Sequence, residues 1–246
     1  MSGHSKWHNI QAKKSKTDAA RGKIFTKIGK EMIIAIREGG PNPASNSKLS
    51  MLISKAKSLN VPNDNIERII KKASGADAVD YEEITYEGYG PSGVAVIVEA
   101  ATDSKNRTAG DVRHYFDKFG GNLGQTGCVG FMFESKGVIV ISSVDEYGDK
   151  VVDGDKLMED ALDAGAEDFS EDGDIFEITC EPDDLDGIKQ DLERKGYTLD
   201  SADVEKVPSS YITLTSEDDI KNMTDLIEHL EDDDDIVNVW HNWEGQ

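Results

Sequence analysis

Apolar residues in the first third of the chain recur at helical spacing. In AARGKIFTKIGKEMIIAIREGGP, Ile24, Phe25, Ile28, Met32, Ala35 and Ile36 fall on one side of a 3.6-residue wheel. Gly39, Gly40 and Pro41 predict where that helix ends. Lys23, Lys27, Lys30 and Arg37 gather on the opposite side, with Ile34 intruding among them. A second helix is predicted over SNSKLSMLISKAKSLN from Leu49, Leu52, Ile53, Ala56 and Leu59, interrupted by Asn60, Val61 and Pro62. A third runs from the cap-like NDN through Ile66, Ile69, Ile70 and Ala73 to Gly75. It carries Lys71 and Lys72 in the last turn, where the helix dipole favours cations.

The period changes after SGADAVD. EEITYEGYGPSGVAVIVEAAT runs in β-branched and aromatic residues around a Gly-Pro-Ser-Gly turn, as a hairpin would. Next come a helix over NRTAGDVRHYFDKFGG, a glycine-rich loop and the strand CVGFMFE. Residues 137–207 then read as strand, helix, two strands, helix and strand, the βαββαβ order of a ferredoxin-like arrangement. The tail adds a helix around EDDIKNMTDLIEHLE and a strand DIVNVWHNW. The expected architecture is multidomain, α and α+β. A basic helical domain spans 1–80, and a discontinuous α+β domain is formed by 81–135 and 208–246. A ferredoxin-like domain, 136–207, is inserted in the latter.

Charge changes this picture most. The formal net charge is -22, yet residues 1–75 hold 15 Lys+Arg against 5 Asp+Glu, net +10, while the remainder holds 12 against 44, net -32. Exposed charges are screened beyond about 8 Å at physiological salt, so a basic face turned from the acidic part can still attract a polyanion. No run approaches the roughly 18 apolar residues that cross a bilayer, and no apolar segment succeeds the basic start. The expectation is a cytoplasmic protein with no membrane partner. Cys128 and Cys180 are far apart and form no CxxC pair, which argues against a disulfide framework or zinc ribbon.

The opening arm carries Lys6, Lys13, Lys14, Lys16 and Arg21 with one aromatic, Trp7, among them. Lysine and arginine neutralise phosphates and a tryptophan can stack on an unpaired base; the bland alternative is a solvated terminus whose Trp7 packs on the bundle. With Lys23, Lys27 and Lys30 these form the candidate nucleic-acid-binding set. In DSKNRTAGDVRH, Lys105, Arg107 and Arg113 stand at the start of a helix, a possible second anion site. Pairing with neighbouring carboxylates explains them equally well, and both readings stay open.

Other patterns carry less. His4 and His8 lack a third ligand. GGNLGQTGCVG comes after a helix and before a strand, the reverse of a phosphate loop, and reads as a structural turn. DFSEDGDIFEIT places Thr179 where a calcium loop needs glutamate and reads as a hairpin turn. The run Asp232 to Asp235 reads as a solvated loop. No nucleophile elbow or Cys/His pair occurs, so an enzyme is not expected, nor any metal or cofactor.

GHSKWHNI, RGKIFTKI, YEGYGPSG, NRTAGDVRHYFDKFGGNLGQTG and LIEHLEDDDDIVNVWHN together resemble the YebC family of probable transcriptional regulators, which is related to mitochondrial translational activators. The resemblance covers essentially the whole chain. It implies a helical N-terminal domain and two α+β domains, one ferredoxin-like and inserted in the other, and residence in the bacterial cytoplasm. It also implies that Lys6, Trp7, Arg21, Lys23 and Lys27 belong to a nucleic-acid surface. The expected function is a DNA-binding transcriptional regulator acting through its basic N-terminal domain. The alternative is a ribosome-associated translation factor that binds ribosomal RNA. Under either reading the acidic domains would offer contacts to ribosomal or transcription proteins.

Overall fold

The structure is a computed structural model that describes residues 18–73, 75, 79–145 and 147–244; the side chains of 18–21 lie outside the description. Contacts divide the chain into two compact units. Met132–Tyr211 forms one, and the helical segment, continued as far as Phe131, joins Ile212–Trp243 in the other. The sequence pattern suggests a boundary near residue 80, whereas the contacts hold the helices and the first sheet together.

The helical segment is α1 (Asp18–Gly39), α2 (Ser47–Ser58) and α3 (Asn63–Ala73). Their shared core is Ile28, Met32, Ala35, Ile36, Leu49, Leu52, Ala56, Val61 and Ile66, with Ile24 and Phe25 at its margin. Gly40 ends α1 in the left-handed region at φ 83, where a side chain would be strained. Buried Asn46 ties α1 to α2. Its Oδ1 accepts from Leu49 N at 3.0 Å as an N-cap, and its Nδ2 donates to Ala35 O at 2.7 Å and Gly40 O at 2.8 Å.

In the same unit, β1 (Glu82–Tyr89), β2 (Ala95–Thr102), β3 (Asn122–Leu123) and β8 (Ile236–His241) form an antiparallel sheet in the order β3-β1-β2-β8. The β1–β2 hairpin pairs Glu82 with Thr102 and Tyr89 with Ala95. Its turn is the predicted one: Ser92 and Gly93 both take positive φ. Every residue of β2 except Glu99 is buried, and because neighbours alternate between faces, the strand is covered on both. Helices α4 (Lys105–Lys118) and α7 (Glu217–Asp232) pack on this sheet, and α1 packs against β2 and β8. Ile34, an anomaly on the helical wheel, is buried.

The other unit runs β4 (Phe133–Ser142), α5 (Gly154–Asp163), β5 (Asp168–Asp172), β6 (Ile175–Cys180), α6 (Leu185–Arg194) and β7 (Ser201–Pro208). Its antiparallel sheet has the order β5-β6-β4-β7. Ile139, Ile141, Leu157, Ala161, Phe176, Ile178, Ile188 and Leu192 make its core. The acidic stretch read as a hairpin turn is one, with Gly173 at φ 63 between β5 and β6.

Candidate nucleic-acid interface

Lys23, Lys27 and Lys30 stand at i, i+4 and i+7 of α1, one row on one face. They meet the end of α7 and the turn into β8. The last carbonyls of a helix have no partner within it, and cations at that end complement its dipole. Lys27 Nζ donates to Glu231 O, while Lys23 Nζ donates to Asp232 O at 3.1 Å and its Oδ1 at 2.9 Å. Lys30 Nζ donates to Asp234 O at 2.8 Å and Asp235 Oδ1 at 2.7 Å. Burial pushes the Lys27 ammonium below its ordinary pKa, partly opposed by Glu231 and Asp233.

Asp235 is the centre of this arrangement. Its Oδ2 accepts from Arg107 at 2.6 Å, Thr108 Oγ1 at 2.9 Å and Thr102 Oγ1 at 3.1 Å. Its carbonyl accepts from Ala101 N at 2.8 Å. Burial would raise the pKa of this carboxyl, but hydrogen bonds from Lys30, Arg107 and Thr108 outweigh it and hold the group at about 2. Tyr115, which donates to Asp233 Oδ2 at 3.2 Å, is pushed up to about 12 by burial and that negative neighbour.

Two expectations are corrected here, and of the two open readings of the α4 cations the carboxylate pairing is the one observed. The lysines of α1 are not an open cationic face: Lys30 is 8% exposed and ion-paired, and Lys23 and Lys27 hold the end of α7. The run Asp232 to Asp235 is not wholly solvated, since Asp235 is 6% exposed. Lys105, Arg107 and Arg113 do not converge on an anion: Lys105 pairs with Glu82, and Arg107 is divided between Asp103 and Asp235. Arg113 is exposed, with no ion partner among the described residues. Lys6, Trp7, Lys13, Lys14 and Lys16 lie outside the described residues, as do His4 and His8; Arg21 is on α1, but its side chain is not described.

Within the helical segment, unengaged cations stand on α2 and α3. Arg68, Lys71 and Lys72 occupy i, i+3 and i+4 of α3, all exposed, and Lys57 is exposed at the end of α2. None of the four has an ion partner among the described residues. Their spacing alone marks one face.

Glu87 also escaped the sequence reading. From β1 it accepts from Gly127 N at 2.7 Å, Val129 N at 2.8 Å and Gly130 N at 2.6 Å, fixing the glycine-rich loop from below. Burial would raise its pKa, but the three N–H donors bring it below the usual carboxylate value. A Cβ on Gly121 would stand 2.6 Å from Tyr89 O, so the loop needs glycine to lie this close to β1.

Two family models match, one described as the N-terminal domain of the TACO1/YebC protein over residues 5–76 and one as its second and third domain over 81–243. The chain belongs to the TACO1/YebC family. A probable transcriptional regulatory protein of Acetivibrio thermocellus is 57% identical across 100% of both chains. Another of that description, from Ruminiclostridium cellulolyticum, is 58% identical over 99% of this chain and 97% of its own. The crystal structure of a conserved hypothetical protein from Aquifex aeolicus matches with a TM-score of 0.83 and 41% identity, covering 94% of this chain and 93% of that one. These family relatives support a regulatory role. Among the described residues no helix is long and apolar enough to cross a membrane.

Proposed function

We propose that the chain is a non-enzymatic regulatory protein of the cytoplasm that binds DNA through its N-terminal helices and controls transcription. The observation that carries this reading is the outer face of α3, where Arg68, Lys71 and Lys72 are exposed and unpaired among the described residues. They sit in a segment whose net charge is +10, and the naming of the relatives points the same way. Lys57 extends the face; Lys6, Trp7, Lys13, Lys14, Lys16 and Arg21 remain candidates for additional phosphate or base contacts. Lys23 and Lys27 serve instead as supports that hold α1 to α7.

The acidic remainder limits contact with DNA to this local face, because a duplex wrapped farther around the protein would meet like charge. We read Met132–Tyr211 as a ferredoxin-like domain inserted into the other unit; the strand order β5-β6-β4-β7 and its place between two stretches of that unit support this. Binding of the full chain to duplex DNA and to a ribosomal RNA fragment, titrated at matched salt alongside ribosome co-sedimentation, tests the reading. Duplex binding weakened by Arg68→Gln, Lys71→Gln and Lys72→Gln supports it. Co-sedimentation with ribosomes and no duplex binding would instead favour a translation factor acting on RNA.

A further inference from the structure

Helix α5 presents two apolar stripes. Leu157 and Ala161 point into the core, fully buried, and account for its packing. Met158 and Leu162, one turn apart on another side, are 40% and 49% exposed. Asp155, Glu159 and Asp163 flank them, so the five residues fall at i, i+3, i+4, i+7 and i+8, the signature of one helix face. The segment entering the helix leaves Val151 and Tyr147 exposed as well.

The flanking carboxylates pair with no cation among the described residues. Asp160, on the side of α5 nearer α6, accepts from Lys195 and Tyr197, each at 2.7 Å. Asp155, Glu159 and Asp163 have no cation partner among the described residues. Cations are scarce here: residues 132–211 hold 24 Asp+Glu against 7 Lys+Arg, net -17. Lys136 is already held between Glu167 and Glu181. An apolar stripe of this kind on a helix is a common receptor for a second amphipathic element, and surrounding charge selects the sign of that element.

We propose that the Met158/Leu162 face of α5 is a docking surface for a lysine- or arginine-rich segment of a partner protein, whose apolar side chains seat on the stripe and whose cations meet Asp155, Glu159 and Asp163. Nucleic acid and anionic membranes are repelled by the same charge. The surface shares no residue with the DNA-binding face, so either reading can fail alone.

A synthetic 20-residue helical peptide with lysine on one face and leucine on the other is the probe, titrated into the full chain by calorimetry for wild type and variant alike, with the Met158 and Leu162 methyl signals followed in the wild type. Saturable shifts of these methyls are expected. Affinity should be about tenfold lower for Met158→Gln with Leu162→Gln, a pair of substitutions that preserves net charge and, at exposed sites, the melting temperature. A peptide of equal charge with glutamine for leucine should bind as weakly. Equal affinity of wild type and double variant, or of the two peptides, overturns the proposal. So does a concentration-dependent dimer, seen by sedimentation, that the double variant abolishes, because the occupant would then be a second copy of this chain.

Discussion

Helices α1 and α3 each carry a row of cations on one face, and the fold uses them differently. On α1 the row is docked: Lys23, Lys27 and Lys30 fasten the helix to the end of α7 and to Asp235. On α3, Arg68, Lys71 and Lys72 face solvent. The difference lies in the uncharged residues beside them. Ile34 lies among the lysines of α1 and is buried, on a helix that packs against β2 and β8, whereas the outer face of α3 is polar, with Asp64 and Glu67 accompanying its cations. A basic stripe is a ligand surface only when nothing apolar within it calls for burial.

The comparison is broken most severely at Asp235. Asp235→Ala leaves buried Lys30 without its carboxylate, and removing one partner of a buried pair costs roughly 3–5 kcal/mol. Urea unfolding of the variant should show that loss; one below about 1 kcal/mol would mean that the α1 cations are not structural.

Acid titration gives the next effects. Burial lowers the His241 pKa from 6.5 to about 4, so the unfolded chain takes up this proton first. Stability from this group is complete above pH 6.5 and falls by about 3 kcal/mol as pH drops through 4, in wild type and Asp235→Asn alike. Asp235 adds a separate window. Its carboxyl is lowered from 3.8 to about 2, so its contribution is present above pH 3.8 and disappears as pH falls through 2, by about 2 kcal/mol, and only where Asp235 is intact. Denaturant titrations at stepped pH should resolve both windows.

At the exposed end of the α1 row the effect shrinks. Lys23 and Asp232 are 43% and 80% exposed at their side chains, so Lys23→Gln should cost at most about 1 kcal/mol in thermal unfolding. Smaller still, Arg68→Gln, Lys71→Gln and Lys72→Gln together should leave stability within about 0.5 kcal/mol of wild type, by the same measurement.

Local features were legible in the sequence because local periodicity determines them. The apolar rows of α1, α2 and α3, the turn at Ser92 and Gly93, and the βαββαβ order read over residues 137–207 all appear in the structure. What escaped was contact at a distance. Lys30 and Asp235 are 205 positions apart, and Glu87 reaches donors 40 to 43 positions later, so no window of sequence displays either pairing. Ile34 was the available clue. An isoleucine on an otherwise cationic face is costly to leave in water, and it marked the lysines around it as a packed surface.

The salt dependence of DNA binding tests the contrast between the two helices most directly. Each phosphate contact removed from a B-DNA complex should reduce the magnitude of the slope of log K against log salt by about 0.9. The full chain carrying Arg68→Gln, Lys71→Gln and Lys72→Gln should therefore lose roughly 2 to 3 from the magnitude of that slope, while Lys23→Gln leaves it unchanged within about 0.5. A slope unaffected by the three α3 substitutions but reduced by Lys23→Gln would contradict the account and return the phosphate contacts to α1.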